Sequence, residues 1–125
     1  MTVNEALMQV DSYLPNRVDE RDKLSWLSRV EKRILGEVHS RYPELARGSE
    51  FSGFTPEGDK DTTLAVPMPY DELYVHFLAG QIQLRLHEQK HYNNEMYLYN
   101  SLLDEYKVQL NRKYRPGGVK KYKVR

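Results

Sequence analysis

LAVPMPYDELYVHFLAGQIQLRLHEQKHYNNEMYLYN, residues 64–100, is the stretch on which the fold turns. After Pro69, Tyr70-Asp71-Glu72 places acids where a first helical turn would be, a position the helix dipole favours. Leu73, Phe77 and Leu84, with the offset Tyr74, Leu78 and Ile82, then recur at helical spacing and form a broad apolar face. His91-Tyr92-Asn93-Asn94 is the expected weak point, beyond which Met96, Tyr99, Leu103, Tyr106 and Leu110 carry the helical period up to Tyr114. A hairpin of two helices is preferred here over one long rod. Arg115-Pro116-Gly117-Gly118 is a firm stop, and Val119 to Arg125 reads as a terminal arm.

Upstream, Thr2-Val3-Asn4-Glu5 has capping-box spacing, so a short first helix is expected to start at Thr2. Ala6, Leu7 and Val10 give it an apolar side, and Leu14-Pro15-Asn16 ends it, because proline disfavours helical geometry in the residue before it. From Asp19, Leu24, Leu27, Val30, Ile34 and Val38 recur at steps of three and four, the clearest amphipathic helix in the chain. Burying each such side chain is worth roughly 1.5 to 3 kcal/mol before conformational entropy, so the stripe is read as core. Residues 43–69 change character, with four prolines and three glycines and no sustained period; this is a long loop, with a short extended piece possible near Thr62 to Val66. The expected fold is therefore all-α: a small bundle of about four helices, with a long loop between the second and third and a basic C-terminal arm. Residues 1–114 form one helical domain and residues 115–125 the arm.

At 125 residues there is room for one modest core. Charged residues at 30% against 39% hydrophobic describe a folded, strongly hydrated chain. The absence of cysteine removes thiolate metal sites and cysteine nucleophiles. Residues 1–10 carry Glu5 and no long apolar core, and nowhere is there an apolar run long enough to span a bilayer, so neither export nor membrane insertion is expected. The charge is uneven: residues 1–114 sum to −4, whereas Arg115, Lys120, Lys121, Lys123 and Arg125 face no acid in the arm. With Tyr122, these cations are candidates for docking on an acidic partner; contact with DNA phosphates and a merely solvated terminus are the other readings.

His87-Glu88-Gln89-Lys90-His91 matches the HExxH string of zinc hydrolases, in which two imidazoles one helical turn apart bind metal beside a glutamate base. Lys90 sits between the histidines, no third-ligand motif follows, and the chain leaves little room for a cleft, so the match is read as a coincidence on the polar rim of a helix. No catalytic residue, metal or cofactor is expected. Seven of the ten tyrosines fall between Tyr70 and Tyr114. Tyrosine buries a ring while its hydroxyl stays wet, which suits subunit interfaces. Tyr92, Tyr97 and Tyr99, with Trp26, Phe51 and Phe54, are therefore candidate intersubunit contacts; helix edges and loop anchors within one chain are the alternative.

Several ordered blocks carry a family resemblance: Val3-Asn4-Glu5-Ala6-Leu7 with Val10-Asp11 and Leu14-Pro15-Asn16; Lys23-Leu24-Ser25-Trp26-Leu27; Leu64-Ala65-Val66-Pro67-Met68-Pro69-Tyr70-Asp71-Glu72-Leu73-Tyr74; Tyr92-Asn93-Asn94; and Tyr97-Leu98-Tyr99-Asn100. Together they resemble the head-tail connector (adaptor, head completion) proteins of tailed bacteriophages and prophages, over residues 2–40 and 62–114. The resemblance implies a structural virion protein without enzymatic activity. It would form a homo-oligomeric ring, commonly dodecameric, docked on the portal protein and followed by a tail-side stopper or tail-terminator protein. DNA would pass through its channel without sequence-specific binding, with no membrane involved. The expected location is the virion neck, after assembly in the bacterial host cytoplasm. Two other functions compete with it: a small nucleic-acid-binding or regulatory helical protein, and the zinc hydrolase.

Overall fold

Thr2 opens the first helix as its spacing requires: its hydroxyl accepts from the Glu5 N–H and the Glu5 carboxylate accepts from the Thr2 N–H at 2.8 Å. The computed structural model describes residues 1–46 and 51–114, arranged as four α-helices, α1 (Val3–Tyr13), α2 (Glu20–Arg33), α3 (Glu72–Arg85) and α4 (Gln89–Lys113). The fold is all-α; among the described residues the only β pairing is a single bridge between Thr2 and Thr63. None of these helices is long and apolar enough to cross a membrane.

Asp19 caps α2 by accepting from the Arg21 N–H, and the expected stripe is buried, with Leu24, Leu27, Val30, Ile34 and Val38 all at 5% exposure or less. The helix does not continue regularly through that stripe. At Ile34–Val38 it widens into a π-helical turn around Gly36 and then tightens into a 3₁₀ turn at His39–Arg41. Gly36 is the weakest helix former in the run, and the extra residue in the wide turn lets Val38 and the adjacent His39 both face inward.

The helix α3 is enclosed. Leu73, Tyr74, Val75, Phe77, Leu78, Ala79, Gly80 and Ile82 are all buried, which covers most of its circumference rather than one stripe and leaves the side of His76 and Gln83 half-buried. It takes α1 and α2 on one part of its surface and α4 on another. At 14 residues it is about 21 Å long, against about 37 Å for the 25 residues of α4, at 1.5 Å per residue. The two form the antiparallel hairpin that was preferred, but the break falls at Leu86–Glu88, earlier than the His91–Asn94 segment expected to carry it. His87 adopts a left-handed conformation (φ 62°) and reverses the chain without glycine or proline. Gly80 lets the helices close up, since a Cβ there would meet Met96 Sδ at 3.1 Å. The part of α4 beyond the end of α3 rests on other elements: Tyr106 against His39 and Tyr70, and the Tyr42 hydroxyl on Asn111.

The long loop is partly structural. The Val3 N–H donates to Thr62 O and the Leu64 N–H to Met1 O, both at 2.9 Å, while Leu64 and Val66 enter the core. This extended piece is then held by a buried polar chain. The Ala65 N–H donates to Glu31 Oε2 at 2.8 Å, the Val66 N–H to the Tyr74 hydroxyl at 3.0 Å, and that hydroxyl to Glu31 Oε1 at 2.6 Å. One carboxylate of α2 and one hydroxyl of α3 thus satisfy two backbone donors of the loop. Burial pushes the Glu31 carboxyl above its ordinary pKa, while the bonds from Tyr74 and Ala65 oppose the rise. Removing the hydroxyl strands the Val66 N–H and half of the carboxylate in the core. Tyr74→Phe is expected to cost about 1 to 3 kcal/mol in urea denaturation; an unchanged midpoint would show that the chain does not hold the loop.

Candidate assembly surface

The HEQKH string does not lie on one helix. His87 and Glu88 form the hairpin turn, and His91 sits in the first turn of α4, so the polar-rim-of-a-helix reading is corrected to a turn. The zinc motif needs helical backbone through all five residues to bring its imidazoles onto one face. The left-handed residue between the helices removes that register. Among the described residues no cluster of three or more His, Cys, Asp or Glu could hold a metal ion. A left-handed non-glycine residue costs roughly 1 to 2 kcal/mol. His87→Gly is therefore expected to leave stability unchanged or raise it by up to about 1 kcal/mol in thermal unfolding; a clear loss would mean that the imidazole holds the turn.

The six aromatic candidates separate into three groups. Tyr99 and Trp26 are corrected: each is closed inside its own chain. Tyr99 is 2% exposed and packs on Phe77 at 5.3 Å between ring centroids, and Trp26 is 9% exposed beneath the Arg85 guanidinium. Phe54 is half-buried against the core, with its N–H donating to Ser28 Oγ, and Phe51 stacks on it at 4.8 Å. Tyr92 is half-buried and Tyr97 is 70% exposed. The arm candidates Arg115, Lys120, Lys121, Tyr122, Lys123 and Arg125 lie outside the described residues.

What the structure adds is the surroundings of Tyr97. From His91 to Leu103 the sequence HYNNEMYLYNSLL contains one charged side chain, Glu95, and Glu95 is buried. The exposed face of this part of α4 is His91, Asn93, Asn94, Tyr97, Leu98 and Asn100, without a formal charge at neutral histidine, in a chain that is 30% charged. Depletion of charge with enrichment in tyrosine is the compositional mark of an interface centre. Sequence periodicity passed over Leu98 because it falls between the core positions of the helix.

Two polar ties fix this face from behind. Glu95 accepts from the Tyr13 hydroxyl and from His76 Nδ1, each at 2.8 Å, joining α1, α3 and α4. Further along, His39 Nε2 and the Tyr106 hydroxyl meet at 2.6 Å. Burial pushes Tyr106 up to about 12 and holds His39 below its ordinary value, so near neutral pH the phenol donates and the neutral ring accepts. Because the folded His39 pKa is depressed, the unfolded chain takes up the proton first as pH falls through 6.5. The contribution of His39 is thus full above that pH and declines below it, by at most about 1.4 kcal/mol per pH unit. Stability measured at pH 7.5 and 5.5 is expected to fall further in the wild type than in His39→Gln; parallel profiles would remove His39 as the cause.

Compared with known protein families, with curated proteins and with solved structures, the chain finds no match.

Proposed function

We propose that the chain is a structural subunit of a head-tail connector ring of the tailed-bacteriophage type, docking on a portal, extending the DNA channel and joining capsid to tail. The observation that carries this reading is the charge-free Tyr97–Leu98 face, presented on a long helix that is anchored to the core along its opposite side. Its support from the sequence is the set of ordered blocks from Val3 to Asn100 that resemble such connectors.

Tyr97 and Leu98 are large side chains left exposed. Tyr97 at 70% and Leu98 at 40% exposure gain by removal from water, and the flanking asparagines supply hydrogen bonds at the rim of a contact. A ring subunit needs such a face on a rigid element, because closure of a ring depends on a reproducible angle between copies. The 25-residue helix tied down by Glu95, Tyr99, Tyr106 and Leu110 supplies that rigidity. In this reading the chain acts by assembly, and its histidines and carboxylates serve packing and the turn. The neck of a virion would be its site of action, with the portal on one side and a tail-side protein on the other.

Tyr97→Glu, with Leu98→Glu, tests the reading. Both positions are exposed, so the variant is expected to keep wild-type helicity and to unfold within about 0.5 kcal/mol of wild type. Ring formation with the cognate portal protein, followed by native mass spectrometry, is expected to be lost. A variant that joins portal rings as the wild type does would overturn the role of this face.

A further inference from the structure

Two edges of the chain carry opposite charge patterns that run in the same direction. On α4, Asp104 and Glu105 border a groove with Tyr70 and Val108, and Arg112 stands at its far end. On α2 and the π-helical turn, Arg29, Lys32 and Arg33 border a groove with Leu35 and Phe51, and Glu37 stands at its far end. All seven charged groups are exposed, and none belongs to an ion pair among the described residues. In chain order, one edge thus presents acids and then a cation, the other cations and then an acid.

The spacings agree. Asp104 and Glu105 precede Arg112 by roughly 11 Å along the helix, and the three cations precede Glu37 by roughly 6 to 12 Å, at 1.5 Å per residue. The directions agree as well. The pairs Asp22–Arg85 and Glu31–Tyr74 set α2 antiparallel to α3, and the contacts Gly80–Met96 and Phe77–Tyr99 do the same for α4, so α2 and α4 run parallel within the subunit. A rotation about an axis lying along these helices preserves that direction. The α4 edge of one copy, laid on the α2 edge of the next, then meets opposite charge at both ends. Between the charges, Val108, 48% exposed, faces the half-buried Leu35 and Phe51.

We propose that the occupant of the Arg29–Lys32–Arg33 groove is a second copy of this chain, whose Asp104–Glu105 edge docks there head to tail, with Arg112 answering Glu37. The contact rests on the ring reading above and names its intersubunit seam. Two different patches meet, which is the heterologous geometry that closes into a ring when the rotation permits. Charge pairs at such a seam fix register and partner orientation more than they add affinity, while the apolar centre supplies contact area.

Charge exchange tests it by sedimentation velocity on the full chain, with and without the cognate portal. Asp104→Lys/Glu105→Lys and Arg29→Glu/Lys32→Glu/Arg33→Glu are each expected to self-associate at least about tenfold more weakly than wild type. An equal mixture of the two is expected to recover assembly, because each then offers the other the pairing it lacks. Recovery also shows that both variants are folded. Full assembly of either variant alone overturns the contact; assembly of the arginine and lysine variant alone would point instead to a symmetric α4 pair or to a phosphate chain in the groove. Loss in each without recovery in the mixture overturns it too, once circular dichroism shows both helical. A cysteine-free chain allows a second readout: Gly36→Cys, where a Cβ meets nothing within 4 Å, with Val108→Cys should form intermolecular disulfides on mild oxidation. Assembly without such cross-links contradicts the seam. A wild-type chain that forms no ring alone or on the portal would defeat the ring reading itself, whereas wild-type rings indifferent to these changes would defeat only the seam.

Discussion

A helix that is apolar around most of its circumference must be largely surrounded, and α3 imposes that demand on everything else in the chain. Its eight buried residues cannot be covered by one neighbour. The first two helices take part of it, α4 takes another, and the Leu64–Val66 segment is drawn in by Glu31 and Tyr74 to complete the enclosure. Each large side chain so covered contributes roughly 1.5 to 3 kcal/mol before entropy, which is why a loop segment is folded into the core at the cost of burying a carboxylate. The polar chain that satisfies that carboxylate is the counterpart of the apolar enclosure: without the Ala65 N–H and the Tyr74 phenol, Glu31 would be a buried carboxyl with no partner beside Val30 and Ile34.

Much of this was legible in the sequence, and the parts that were not share a physical cause. The capping box at Thr2, the Asp19 start and the Leu24–Val38 stripe depend on neighbours three and four residues apart, so sequence spacing displays them directly. The hairpin break at His87 was misplaced because a left-handed histidine leaves no compositional mark, whereas the Asn93-Asn94 pair that looked like a break sits within α4. The π-helical turn escaped notice because the apolar period survives it. Among the candidate site residues, Tyr97 was placed at the surface by composition, but Tyr99, two positions on, was grouped with it although it faces the opposite way. Tyrosine content reports that aromatic surface exists; only the helix axis says which ring faces α3. The buried role of Glu31 was likewise invisible, since its partners lie 34 and 43 residues away.

The functional reading follows from what the enclosure of α3 leaves over. Covering α3 uses one side of α4 and leaves its outer side to solvent, first as the uncharged Tyr97–Leu98 face and then as the Asp104–Glu105 edge. The inner side is bolted by Glu95 to α1 and α3 and by Tyr106 to His39, so the outer side is presented as a rigid bar. The opposite charge order on α2 gives the same subunit a matching surface. On the proposed reading such a chain would gain by repetition of itself, in the setting that the resemblance of its sequence blocks to connectors suggests.

The most direct measurement is a high-resolution electron cryomicroscopy reconstruction of the neck in an intact particle that carries this protein. The account predicts a closed ring of copies between portal and tail, with α3 at the centre of each subunit and Tyr97 and Leu98 buried at the boundary between neighbours. A particle in which the chain lies away from the neck, or a neck ring in which that α4 face looks out on solvent, would contradict it.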